Sequence, residues 1–254
     1  MNRYLRSTHL QQRSRWRLAL RAAAATLATV CCPVFGSVEL ASATGAPPSL
    51  AKSYSGSAHN TTAAESGAIV LKDIVQAAGS ISGTFSFESP LAGTGPFTGN
   101  ITSTAIKFTV KPTAVSCPSC TSIVFAGTVW PIVSMSGTWV AHLKSGGAQG
   151  GTWGLPSTYD GTVYNNQAKD TSHVSFTLNE KANGHLTGSE FDQYGYGTGP
   201  LTGTLRGSKV EITNHQPVQY TGTWSTLGGM SGTWSGAGAT GNWQLRRSGA
   251  QTAI

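Results

Sequence analysis

The sequence predicts an all-β protein: two tandem antiparallel up-and-down meander barrels behind an N-terminal segment of different character. Three observations carry this. Motifs are written twice, "MSGTW" at Met135–Trp139 and Met230–Trp234, and "GTGPFTG" at Gly93–Gly99 with "GTGPLTG" at Gly197–Gly203. Within each copy the apolar residues recur with period two, the signature of half-buried strands. Glycine is abundant, at 32 of 254 residues, and short strand-like runs end in Gly, Asn or Pro.

The first element is a leader, residues 1–43. It holds six of the 17 Lys+Arg, then the apolar run Ala22–Gly36, then Ala41-Ser42-Ala43. A charged start, a short apolar stretch and an A-x-A-like end describe a secretory signal peptide cleaved after Ala43. The mature chain is therefore expected to be secreted, cell-surface or periplasmic. An uncleaved N-terminal anchor tethering the chain to a membrane is the alternative, although the apolar stretch is short for a span. A transit peptide is a further possibility, and Val30 before Cys31 argues against a lipoprotein. Beyond Ala43, 11 Lys+Arg stand against 9 Asp+Glu in scattered positions. The net charge of +7 thus belongs mainly to the leader, and no nucleic-acid surface is predicted. No run of 18 apolar residues is present to span a membrane as a helix.

A linker, 44–51, leads into copy one at 52–156, followed by copy two at 157–247 and a tail at 248–254. Tyr54 and Gly56 match Tyr159 and Gly161 at an offset of 105, "GTGP" matches at 104, "MSGTW" at 95, and Trp153 matches Trp243 at 90. The drop of nine residues is an extra loop in copy one carrying "CPSC", Cys117–Cys120. A redox pair needs a helix after it, and none is predicted. A zinc site needs two more good ligands, and no second cysteine pair exists. The two cysteines are read as a local disulfide pinning a surface loop. About eight short strands of five to eight residues are expected per copy, too short for the ~9–11 residues that an outer-membrane barrel needs. Glycines fall on the parity of the core residues, Gly127 and Gly137 among them, with Gly222 and Gly232 in copy two. Small closed barrels need such positions for coiling and for large neighbours, and Trp139 and Trp234 are expected to fill the space.

The opening of copy two, "YDGTVYNNQAKDTSHVSFTLNEKANGHLTGSEF" (Tyr159–Phe191), resembles the first hairpin of the avidin/streptavidin family: Gly, an aromatic, Asn, then "LTG" after a turn. The resemblance covers about a third of each copy. It implies a secreted eight-stranded barrel, avidin-like or lipocalin-like, in which Asn165 and its counterpart Asn60 hydrogen-bond a ligand at the barrel mouth. The family's ligand-contacting tyrosine after "TG-x" is replaced here by Phe85 and Glu190, and its later acidic contact has no match. Biotin is therefore not the expected ligand.

No nucleophile elbow, H-E-x-x-H or phosphate loop is present. His59, His142, His173, His185 and His215 lack metal-ligand spacing, so no metal and no cofactor is predicted. Asn60 and Asn100 are glycosylation acceptors if the source is eukaryotic. The expected function is a non-enzymatic binding module for a small apolar or aromatic ligand. Trp139, Trp153, Trp224, Trp234 and Trp243 would line its interior, with Asn60 or Asn165 at the rim. The rival is a structural or surface-interaction module with packed barrels. A weaker alternative is a hydrolase-like enzyme using Glu190 and Asp192, which replace Phe85 and Phe87. Against that stands a hairpin-end reading, preferred here, in which a bulge turns Phe191 inward and leaves both acids in water.

Overall fold

The computed structural model describes residues 45–195 and 197–249. The leader, its cleavage site, and Cys31 and Cys32 lie outside them. The first barrel is built from β1 (Tyr54–Asn60), β2 (Glu65–Ala77), β3 (Ser80–Phe87), β4 (Thr94–Ile101), β5 (Ala105–Val110), β6 (Cys120–Val129), β7 (Met135–Leu143) and β8 (Ala148–Leu155). The second uses β9 (Ser157–Asn165), β10 (Asp170–Glu180), β11 (His185–Asp192), β12 (Gly199–Arg206), β13 (Lys209–Asn214), β14 (Gln219–Trp224), β15 (Gly229–Gly236) and β16 (Ala239–Arg247). Each strand pairs antiparallel with the next, and the last of each set pairs with the first, closing two eight-stranded barrels. A single 3-10 turn, Ala182–Gly184, is the one helical piece among the described residues.

Alternation builds the cores. In β5, Ile106, Phe108 and Val110 are buried, and in β13 Val210, Ile212 and Asn214 answer them. The outward residues of the second barrel are mostly polar, with Thr202, Lys209, Gln219, Thr233, Asn242 and Gln244 all exposed and Phe191 the large apolar exception among its strands. Several strands are longer than expected, with 13 residues in β2, 11 in β10 and 10 in β6. Length is therefore a poor argument against a lipid-facing barrel. For the second barrel the mostly polar outer face is the better one, because such barrels carry an apolar band outside.

Paired glycines set the coiling, but they seat different tryptophans from those expected. Gly127 faces Gly137 across β6–β7, and Gly222 faces Gly232 across β14–β15. A Cβ on Gly137 would lie 2.0 Å from the Ala126 carbonyl oxygen, so only glycine fits. The indoles resting on these pairs are Trp153, 2.8 Å from a Cβ built on Gly127, and Trp243, 2.9 Å from one built on Gly222. Trp139 and Trp234 lie on the glycine strands themselves, two residues beyond Gly137 and Gly232, whereas Trp153 and Trp243 come from the neighbouring β8 and β16, directly opposite those glycines.

The barrels join end to end. Only Pro156 separates β8 from β9. The β6–β7 loop of the first barrel reaches across, and its Ile132 is fully buried in the core of the second. The next residue, Val133, turns back into the first core through a left-handed φ of +62°. Leu50 and Ala51, at the end of the expected linker, are buried in the first core, and the Lys52 amide donates to the Gly249 carbonyl at 3.2 Å.

Candidate functional site

Strand register shows what differs between the two interiors. In the first barrel Phe85, Phe108 and Phe125 pack together, with Phe108 and Phe125 stacked at 4.6 Å and Phe85 and Phe125 at 5.0 Å. Phe87 fills the space towards Trp139 at 5.3 Å. The equivalent places in the second barrel hold Glu190 for Phe85, Asp192 for Phe87, Tyr220 for Phe125 and Asn214 for Val110. Each carries a polar group where the first copy has hydrocarbon.

The acids point inward, which overturns the hairpin-end expectation. The β10–β11 pairing runs without a bulge from Glu180↔Leu186 to Val174↔Asp192. Strict alternation then buries Glu190 to 2% exposure and Asp192 to 8%, while Phe191 faces out at 61%. The Glu190 carboxylate accepts from the Tyr220 hydroxyl at 2.7 Å and from Asn214 Nδ2 at 3.0 Å. Asn214 Oδ1 in turn accepts from the Gln216 and Val218 amides, each at 3.0 Å. Gly197, in the β11–β12 loop, lies over the carboxylate, where a Cβ would stand 2.4 Å from Oε1. Burial raises the Glu190 pKa above the ordinary carboxyl value, opposed by its two hydrogen bonds and assisted by Asp192. Burial likewise pushes the Tyr220 hydroxyl up, and the Glu190 charge adds to it. Asp192 Oδ1 accepts from the Tyr194 amide at 2.7 Å, so it caps the loop that covers Glu190.

The other expected site residues are spread through the two barrels. Asn60 Oδ1 accepts from the Thr62 and Ala63 amides at 2.9 and 3.1 Å. Asn165 Oδ1 does the same for Gln167 and Ala168 at 2.9 and 3.0 Å. Both asparagines thus cap their own hairpin turns, the local use for which Asn suits such positions. Trp153 donates to the Thr138 carbonyl at 3.1 Å, Trp234 to Tyr164 at 2.9 Å and Trp243 to Thr233 at 3.0 Å. Trp139 is buried at 3% with an indole N–H that meets no acceptor. Trp224 is half-buried against the second core. Cys117 and Cys120 form the local disulfide, with a Cα–Cα distance of 5.4 Å, tying the β5–β6 loop to the first residue of β6. The five mature histidines are exposed.

Hollows lie on the outside. One of about 640 Å3 runs over the outer face of β2–β5, and another of about 440 Å3 occupies the crease between the barrels. Sequence reasoning marked Glu190 and Asp192 but missed Asn214 and Tyr220. The signal was available in the break of the repeat, since Val110→Asn and Phe125→Tyr occur at matched offsets.

Fold and interior together define a tandem eight-stranded barrel protein of the kind that serves as a binding or structural module. No family model matches the chain, and no curated protein is similar enough to count as a relative.

Proposed function

We propose that the protein is an exported, non-enzymatic structural or surface-interaction module whose barrels are filled and whose loops and outer faces do the work. One observation carries this reading: the interior positions assigned to a ligand are occupied and mostly satisfied by the chain itself. The first barrel holds Phe85, Phe97, Phe108 and Phe125, each no more than 2% exposed. The asparagine oxygens of both copies are engaged by turn amides, and three of the five tryptophans bond to backbone carbonyls. An eight-stranded barrel is just wide enough to be filled by its own side chains. Export is supported by the leader and by a disulfide, which persists in oxidising compartments.

A second reading is favoured by the polar cluster of the second barrel. A small ligand bearing a hydrogen-bond donor would replace Tyr220 and Asn214 at Glu190 after the β11–β12 loop moves aside. That placement departs from the avidin-like one, in which Asn165 meets the ligand. The acid-pair enzyme reading is the weakest, because Glu190 and Asp192 are each engaged in bonds within the barrel.

Tryptophan fluorescence and melting temperature, screened against extracellular metabolites, distinguish the readings. Filled barrels predict no saturable response. A saturable quench with a rise in Tm, abolished by Trp243→Phe and by Glu190→Gln, overturns the proposal in favour of the second barrel as a pocket. Export is checked separately by the N-terminal sequence of the secreted chain, expected to begin near Thr44.

A further inference from the structure

The crease between the barrels is built differently from the other hollows. It measures about 440 Å3, and its wall includes Lys52 and Ser53 before the first barrel, Ser157, Thr158 and Asp160 of β9, and Arg247 at the end of β16. Arg247 is half-buried, and its guanidinium donates to the Ser49 carbonyl. Its Nε–H is buried and meets no acceptor. Ser157 is 1% exposed, and its hydroxyl also has no partner. Buried polar groups are nearly always hydrogen-bonded, so two orphans on one wall call for an explanation. The charge balance of that wall is positive. Its acid, Asp160, accepts from the Ser248 hydroxyl and faces Arg246 across the β16–β9 register, while the Lys52 side chain stands exposed.

We propose that this crease binds a small oxyanion, a carboxylate or phosphate group, through the Arg247 guanidinium and Lys52. The planar guanidinium matches the paired oxygens of both groups, and it does so better where water is partly excluded. The site is contributed by both barrels, so an occupant ties the segment before β1 to the end of β16. Neither barrel need be hollow for this site to be filled.

The test is a titration of the full mature chain with inorganic phosphate and, separately, sodium acetate, each against sodium chloride at equal ionic strength. Melting temperature and the amide resonances of Lys52, Ser157 and Gly249 are followed together. A saturable response to phosphate or acetate beyond that of chloride is expected, and the more effective anion names the group. Arg247→Gln weakens binding at least about tenfold. Lys52→Gln, an exposed change that leaves folding intact, also weakens it. A response matched by chloride, or one unaltered in Lys52→Gln and Arg247→Gln alike, overturns the proposal.

Discussion

Glu190 stands where the first barrel has Phe85, and its surroundings give it a pH signature. Its ordinary pKa is near 4.5, and burial raises it in the folded chain. The folded state therefore holds the proton more tightly than the unfolded one. The resulting stability is fully present below about 4.5 and is lost as pH rises through the higher folded pKa. Glu180, also raised by burial, shifts stability in the same direction, so the wild-type curve alone does not isolate Glu190. Glu190→Gln does. Denaturant midpoints measured from pH 4 to 8 should show wild type losing stability relative to the variant as the pH rises. Parallel curves for the two proteins would refute the buried-carboxyl account.

At the scale of the element, the facing glycines of β6 and β7 are held by contact. Gly137→Ala places a methyl group 2.0 Å from the Ala126 oxygen and 2.5 Å from Gly127 Cα. Backbone atoms on both sides cannot step back without opening the ladder, so a loss of about 1–3 kcal/mol is expected. Gly154→Ala is the control, since its Cβ would meet nothing nearer than the Met135 oxygen at 4.0 Å. Thermal unfolding of the two variants checks the contrast, and equal losses would show that strand propensity rather than close approach is responsible. The β5–β6 loop is a second case. Its disulfide joins residues three apart in sequence, and closing so short a loop removes little chain entropy. Reduction should lower stability by at most about 2 kcal/mol and leave the barrel closed, as read by near-ultraviolet dichroism. A collapse of the tryptophan signal on reduction would show the loop to be essential to the first barrel.

Across the whole molecule, the β6–β7 loop joins the two barrels, alongside Pro156 and the bonds of Lys52 with Gly249 and of Arg247 with Ser49. Ile132 is buried in the partner core, its amide donates to Glu180 Oε2 at 3.2 Å, and its carbonyl accepts from the Tyr159 hydroxyl at 3.0 Å. The Glu180 amide closes the joint by donating to Ser134 Oγ at 3.0 Å. Because the joint lies at the β6–β7 end, the β1–β2, β3–β4, β5–β6 and β7–β8 loops all stand at the far end of the first barrel, and their counterparts at the far end of the second. Ile132→Ala removes a fully buried side chain, at a cost of about 2–5 kcal/mol. Calorimetry should show one transition for wild type and two for the variant, with the second barrel melting first. One unsplit transition at the wild-type temperature would mean that the barrels are not coupled through this loop.

The repeat and the period of two by themselves determined that this chain is two antiparallel barrels, because both are local properties that survive in one dimension. "MSGTW" repeats at a fixed offset, and Ile106, Phe108 and Val110 alternate whatever lies beside them. The disulfide was legible for the same reason, as its partners are neighbours in sequence. Which tryptophan rests on which glycine pair was not legible, because Trp153 and Gly127 meet only after the sheet closes. The direction of Glu190 and Asp192 depended on whether β11 pairs with β10 without a bulge, a matter of register between strands. The cluster of Glu190 with Asn214 and Tyr220 joins three strands, and the crease at Arg247 joins the beginning of the described chain to its end. Such places exist only through contacts distant in sequence, and composition and spacing carry no record of them.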